Sequence, residues 1–306
     1  GAYNEILGAA TLAKENLDVV HTTSPMSRIP VSYRGKTIVT VNNVAAFKLP
    51  EVFPKLSVMK NKTILKFMVG KADKVIAVSQ SIKKDLQDTF ACPEGKIDVI
   101  YSGFDKRFSD VSSVAREKVL EKYGIGDNKY MLFLGTLEPA KNISRLLEAF
   151  KIFKEKKGGY KLVLAGKNGW LAAEYKQLAK DLGIEKDVVF TGYVVGDEIV
   201  SLFSQADFFV MPSLYEGFGT TVLEAFATGT PAIVSNVSSV PEIAGDAAEL
   251  VNPLDVQNIA DAMLKLAADE NLKQTLREKG KKQIEKFNWE KCAHETLAVY
   301  KSFEKK

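Results

Sequence analysis

Phe208-Phe-Val-Met-Pro-Ser-Leu-Tyr-Glu-Gly-Phe-Gly-Thr-Thr-Val-Leu-Glu-Ala-Phe-Ala-Thr-Gly-Thr-Pro-Ala-Ile-Val-Ser235 runs from one short apolar tract to another across a glycine-flanked turn. Phe208 to Met211 offers no polar face, so it reads as a strand covered on both sides, and Ala232 to Ser235 reads the same way. Gly217 and Gly219 let the backbone approach a ligand without a side chain in between. Thr221 or its neighbour then starts a helix whose apolar body is predicted over Leu223 to Thr228. Strand, helix and strand in this order make a crossover unit, and such a connection joins parallel strands of one sheet.

The same alternation continues outward. Candidate strands lie at Met131 to Leu134, Lys161 to Ala165, Val188 to Thr191, Asp207 to Met211, Ala232 to Ser235 and Glu249 to Val251. Amphipathic stretches at Ser144 to Lys156, Leu171 to Leu182, Asp197 to Ser204 and Val256 to Ala268 separate them. This predicts an α/β, doubly wound, Rossmann-like domain with ligands gathered at the carboxyl ends of its strands. Gly135, Gly166, Gly192 and Pro212 each follow a strand and mark that edge. The first part is sparser. Leu17 to Val20, Thr37 to Val41, Lys74 to Val78 and Ile97 to Ile100 read as strands, with helices near Ile6 to Lys14, Leu56 to Val69 and Ser81 to Thr89. Together they make half of a second doubly wound domain. The polar tract Phe108 to Ala115 marks a linker, with the hinge expected between about 105 and 128. The predicted organisation is a shortened first domain over residues 1–110, a second domain over 111–288 and a final helix over 289–306. A short sheet leaves an open edge that must be covered or paired, so an oligomer or a swapped contact is expected there.

With 306 residues, 46% hydrophobic and 26% charged, the chain can bury more than one core. No apolar run approaches the ~20 residues of a membrane span, which excludes an integral helical membrane protein. Cys92 and Cys292 lie far apart without metal-ligand spacing, no secretory signal is visible, and a reducing, cytoplasmic setting is expected. The 42 basic and 38 acidic side chains leave a net charge of only +4, and no aromatic-interleaved basic patch points to nucleic acid. Residues 47–74 stand apart, since they mix Phe53, Leu56, Met59, Leu65, Phe67 and Met68 with Lys55, Lys60, Lys62, Lys66, Lys71 and Lys74. Such a stretch suits peripheral contact with an anionic membrane and a lipid-linked acceptor, or equally a domain helix with a solvated lysine face.

Two acids flank the central turn. The free N–H groups and dipole of the helix end favour an anion, phosphate above all. Glu216 before that end and Glu224 just inside the helix suit a ligand with hydroxyls on both sides of a diphosphate, which is the layout of a nucleotide sugar. A carboxylate in a glycine loop is costly to desolvate unless something accepts it, so the hydroxyls of a sugar are the natural partner of Glu216. Glu224 has a plainer alternative, because Thr221-x-x-Glu224 has the spacing of a capping box. Asn142 reads as a helix cap. His21 ends a strand, where it is either a capped structural histidine or a group facing the crevice. His294, on the final helix, reads as structural.

Glu216 and Glu224 in their EGFG…LEA…G.P setting resemble the E-x7-E signature of the retaining GT-B glycosyltransferases of family 4. Gly135-Thr-Leu-Glu-Pro-Ala-Lys-Asn142, Leu164-Ala-Gly-Lys-Asn-Gly-Trp170, Val189-Phe-Thr-Gly-Tyr193, Val240-Pro-Glu-Ile-Ala-Gly-Asp246 and Phe287-Asn-Trp289 follow in the family's usual order. The resemblance spans residues 72–306. It implies a GT-B fold of two Rossmann-like domains whose last helix crosses back to brace the first. It implies that Glu216 orients the hexose and stabilises positive charge at the anomeric carbon, and that Glu224 holds the ribose. Lys141 would neutralise the leaving diphosphate. Gly135, Thr136, Lys167, Gly217, Phe218, Gly219, Thr220 and Thr221 complete the donor site, with Tyr193 and Val194 beside the base.

The resemblance also implies retention without a metal ion, in keeping with the absence of an Asp-x-Asp motif. No cofactor is implied beyond the substrate nucleotide sugar, a GDP-linked donor ahead of a UDP-linked one. The acceptor would be a glycan or a lipid-linked saccharide of cell-envelope polysaccharide assembly at the inner face of the membrane. Four departures stand out. Thr136 and Ala140 replace arginines common in the family. Asn42-Asn43 follows the strand that commonly leads to a histidine facing the reacting sugar, leaving Asn42 to donate a hydrogen bond there but not to carry a proton. The opening strand and glycine-rich turn of the first domain are missing, so the chain is a piece, the protein has lost roughly three strands, or a second chain supplies them. A donor-binding protein without turnover, or the larger part of a two-chain enzyme, is therefore the alternative.

Overall fold

The computed structural model describes residues 17–24, 33–110 and 116–304, together with residues 12, 14, 15 and 29. Apart from Leu12 and Lys14, the helix expected over Ile6 to Lys14 lies outside them, as do residues 111–115 of the expected linker. The chain divides into two compact units, Gly1–Gly103 with Trp289–Lys306, and Phe104–Asn288.

In the first unit β1 (Val19–Thr22), β2 (Lys36–Val41), β3 (Lys74–Ala77) and β4 (Ile97–Val99) form a parallel sheet in sequence order. The β-branched run of β2 buries Ile38, Val39 and Val41 completely. Helices Lys55–Lys71 and Gln80–Phe90 supply the crossovers, and Ser79 caps the second by accepting the Ile82 N–H at 3.1 Å. The last helix, Trp289–Lys301, belongs to this unit, where Val299 packs with Ile38, Ile76 and Ile100. His21 takes the structural alternative. Its Nδ1 lies 2.7 Å from the Tyr300 hydroxyl and its Nε2 lies 2.7 Å from Thr40 Oγ1, so the imidazole ties the last helix to the sheet. His294 is exposed on the same helix.

The second unit holds six parallel strands in the order β10-β9-β8-β5-β6-β7. They are β5 (Lys129–Leu134), β6 (Tyr160–Ala165), β7 (Val188–Gly192), β8 (Phe208–Met211), β9 (Ala232–Ser235) and β10 (Glu249–Val251). Every residue of β8 and β9 is buried. Phe133, Phe150, Phe153 and Phe208 lie at the centre, with Phe150 stacked on Phe153 and Phe153 edge-on to Tyr160. β6 leaves β5 on one side and β8 joins it on the other, so the connections leaving Leu134 and Met211 diverge. That reversal opens a crevice at the carboxyl ends of β5 and β8.

Two features depart from the sequence-based expectation. The division falls at Gly103/Phe104 rather than at 110, because Phe108 is buried and meets Phe203 edge-on at 5.8 Å, which binds the turn Lys106–Ser109 to the second unit. A 15-residue helix, Glu270–Ile284, had no periodic signal, since its buried stripe is Lys273, Leu276, Gly280 and Gln283 with one aliphatic residue among them. Lys273 is fully buried. Its Nζ donates to both Asp207 oxygens at 2.7 and 2.8 Å and to Glu270 Oε1 at 2.8 Å, while the Tyr160 hydroxyl donates to Asp207 at 2.7 Å. Among the described residues no helix is long and apolar enough to cross a membrane.

Removing one partner from such a cluster leaves an uncompensated charge. Lys273→Ala is expected to lower stability by about 3–5 kcal/mol in urea unfolding. Burial holds the His21 imidazole below its ordinary value, so between that lowered value and about 6.5 the unfolded chain binds the extra proton. Stability is therefore expected to fall as pH drops below about 6.5, and His21→Gln should lose that slope in a pH series of thermal unfolding.

Candidate functional site

Three glycine turns close the edge of the second sheet. The Gly135 N–H donates to Ala165 O at 2.9 Å, and the Gly166 N–H donates to Gly192 O at the same distance. Gly166 has φ +146°, and a Cβ there would lie 1.9 Å from Gly135 O, so no side chain fits where these turns touch. The chain then rises through the single turn Pro139–Lys141.

Two clamps hold that turn against the loop after β8. The Leu214 N–H donates to Ala140 O at 2.8 Å. Asn142 Nδ2 donates to Pro212 O at 3.0 Å and to Pro253 O at 2.6 Å. Asn142 stands at the N-cap position of helix Ile143–Lys156 without a side-chain cap bond, which corrects its reading as a cap. Its amide is used instead to lock loops that are far apart in sequence. Ala140 is buried, and its carbonyl forms part of this clamp.

The clamps bring Lys141 and Glu216 together across the crevice. Lys141 Nζ donates to Glu216 Oε1 at 2.7 Å, with the side chains 20% and 10% exposed. The Glu216 N–H donates to Ser238 Oγ, and its carbonyl accepts from Ser239 Oγ, each at 2.9 Å. Glu138 joins them. Burial raises its carboxyl above the ordinary carboxylate range, with the Lys141 charge opposing and the Glu216 charge reinforcing. Neither Glu138 nor the serine pair was singled out from sequence, because nothing in their spacing announces a tertiary contact.

Helix Thr220–Ala227 starts at Gly219, whose φ of +92° is a left-handed conformation that glycine reaches without strain. Its N-cap makes no side-chain bond, and the Thr221 hydroxyl donates to Met211 Sδ at 3.2 Å. Thr221 is therefore inside the helix and the capping box with Glu224 does not form. The first N–H groups of the helix receive no side-chain cap. Glu224 lies one turn further on, where burial first and the Asp105 charge second push its carboxyl up to about 7 against the pull of Arg107. Arg107 Nε donates to Asp105 Oδ2 at 2.8 Å. These two residues reach Glu224 from the segment that opens the second unit, a proximity that linear spacing does not reveal.

The remaining candidates separate. Phe218 and Gly217 are buried, and the Phe218 ring packs edge-on to Phe287 at 5.9 Å, so it faces the interior. Lys167 Nζ sits 4.6 Å from the centroid of the Tyr193 ring, which is 64% exposed, while Val194 is buried and Thr136 is exposed. Asn42 belongs to the first unit, where Nδ2 donates to Thr23 O at 2.8 Å. Among the described residues no group of three or more His, Cys, Asp or Glu side chains is placed to hold a metal ion. The assembled part is an ammonium and a carboxylate able to exchange each other for a phosphate and a hydroxyl, beside a helix start that favours an anion.

The family profile described as "Glycosyl transferases group 1" matches residues 115–283, and that of "Glycosyltransferase Family 4" matches residues 7–108. O-antigen chain mannosyltransferase B of Escherichia coli is 32% identical over 267 residues, covering 87% of this chain and 70% of that one. An uncharacterized glycosyltransferase of Methanocaldococcus jannaschii is 36% identical over 233 residues, covering 74% of this chain and 59% of that one. Among solved structures, Anabaena HepE in complex with UDP and glucose superposes with a TM-score of 0.81 at 19% identity, covering 99% of this chain and 83% of that one.

The raised carboxyl of Glu224 opposes folding at higher pH, because below about 7 the folded chain holds a proton that the unfolded chain loses near 4.5. Glu224→Gln is expected to match the parent in thermal unfolding at the acid end of that window. As pH rises through it to about 7, the variant should become the more stable, by on the order of 3 kcal/mol.

Proposed function

We propose, from the premise that this chain belongs to the group 1 glycosyl transferases, that it moves a hexose from a nucleoside-diphosphate sugar to a glycan or lipid-linked acceptor. The reaction proceeds with retention and without a metal ion. The donor is GDP-mannose before any UDP sugar, a preference supported by the mannosyltransferase relative. The observation that carries the proposal is the Lys141–Glu216 pair at 2.7 Å in the crevice where the strand order reverses.

The donor enters by replacing that pair. Its hexose hydroxyls donate to Glu216, and its diphosphate takes Lys141 together with the N–H groups of Thr220 and Thr221. Glu224 accepts the ribose hydroxyls, while Lys167 and Tyr193 line the base side. As the acceptor oxygen bonds to the anomeric carbon, the bond from that carbon to the β-phosphate oxygen breaks. The acceptor proton passes to the departing phosphate on the same face, which preserves configuration. Lys141 and the helix start stabilise the charge that grows on the diphosphate, and Glu216 stabilises the positive charge at the anomeric carbon.

Asn42 and the uncharged Thr136 favour one other reading, a protein that binds donor without turnover. Incubation with labelled nucleotide sugars separates the two, since transfer or slow donor hydrolysis is expected of the enzyme and saturable binding without product of the other. GDP, or failing that UDP, is expected to raise the unfolding midpoint of the parent chain, and Glu216→Ala and Lys141→Ala should weaken that shift with the donor sugar. Lys141→Ala is further expected to lower kcat by about 10²–10³-fold, the typical cost of removing one stabilising donor from a developing anion. If both variants keep parental affinity and turnover, the assignment fails.

A further inference from the structure

We propose, on the basis of the glycosyltransferase reading in which Glu224 accepts the donor's ribose hydroxyls, that Arg107 is a positioning residue for that ribose. When the hydroxyls arrive, the guanidinium turns from Asp105 toward the Glu224 carboxylate and holds it in place. All three residues belong to the second unit.

The turn Lys106–Ser109 packs against helix Thr220–Ala227 and is anchored by the buried Phe108. At its start the Arg107 N–H donates to Asp105 Oδ1 at 2.9 Å, and the guanidinium meets Asp105 Oδ2 through Nε at 2.8 Å and Nη2 at 2.7 Å. The two side chains are 60% and 41% exposed, and an ion pair so open to water contributes little to stability. Asp105 keeps its backbone partner when the guanidinium leaves, so the exchange strands no acid. Glu224 is in the opposite condition. It is partly buried, and among the described residues no hydrogen bond or ion pair reaches its carboxyl.

Of the elements packed against helix Thr220–Ala227, this turn supplies the charges that act on Glu224, with Asp105 opposing its ionisation and Arg107 favouring it. Helix Asp197–Gln205 brings Asp197, which acts on Arg107, and Glu198, which accepts from Lys122 and Tyr123. Glu242 of helix Val240–Ala244 is not among the charges that act on Glu224, and helix Glu270–Ile284 meets the Glu224 helix through the uncharged Gly280 and Phe226. An ionised carboxyl is acceptor-only and takes both hydroxyls of a diol, whereas the neutral form commits one oxygen to its own proton. Ribose binding therefore sends a proton from Glu224 to solvent and leaves a charge that needs a cation. Arg107 is the cation within reach, and its fork has donors to spare for a second carboxylate.

The test is titration calorimetry across pH with GDP and UDP and with their 2′,3′-dideoxy counterparts. The affinity ratio of ribo to dideoxy form is read for each base, so that titration of the phosphates cancels. In the parent the ratio should rise about tenfold from about pH 6 to about pH 8, with its midpoint at about 7. Arg107→Gln should move that midpoint up, and Asp105→Asn, whose amide oxygen still caps the turn, should move it down. Glu224→Gln should abolish the pH dependence. At about pH 8.5 Arg107→Gln should also lower the ratio about tenfold, the worth of one charged hydrogen bond, and Arg107→Lys should restore it in part. A merely structural loss would move both midpoints alike or neither. A parental ratio indifferent to pH, midpoints that do not part in opposite directions, an unchanged ratio for Arg107→Gln at the alkaline end, or pH dependence surviving in Glu224→Gln would each overturn the proposal. Nucleotide binding with such a flat ratio leaves the glycosyltransferase reading standing, whereas a parent chain that binds neither GDP nor UDP ends both.

Discussion

A strand covered on both faces has no room for charge except at its ends. β8 and β9 are buried at every residue, and β5 at all but its first and last. Polar chemistry in the second unit is thereby pushed to the edge where the strands run out. At one place on that edge the loops must also part, because β6 and β8 flank β5 from opposite sides. Lys141 and Glu216 are the groups carried by the two diverging loops, so the crevice and the charge pair share one cause.

The edge does not treat its acids alike. Glu216 is almost as buried as a core residue, and it keeps company with an ammonium and two serines that hold its backbone. Glu224 is pushed up to about 7 by burial first and by the Asp105 charge second, with Arg107 only partly offsetting them. Two carboxyls eight positions apart thus meet different surroundings despite their common type. The same logic governs Lys273, whose buried charge is tolerated only because Asp207 and Glu270 close around it.

Much of this architecture is legible without coordinates. The six predicted strands of the second unit all form where apolar runs punctuated by glycine or proline place them, and the glycine at 219 opens the helix within two residues of Thr221. Where local reading falters, the local signal is either weak or shared. Glu270–Ile284 buries lysine, glycine and glutamine, so its stripe does not register as apolar. Asn142 carries a capping residue's side chain, yet the carbonyls of Pro212 and Pro253 compete for it successfully. Phe108 opens a tract that looks like linker, and only its contact with Phe203 assigns it to the second unit.

The amino-acid order alone determined the alternation of strand and helix, the parallel sense of the sheets and the placing of two acids around a glycine turn, since periodicity and turn chemistry act between near neighbours. The folded chain alone decided that Lys141 meets Glu216 from 75 positions away, that Asp105 and Arg107 reach Glu224, and that His21 is spent on Tyr300 and Thr40. Those are matters of distance and desolvation. Both are properties of space between residues, and the linear order does not contain them.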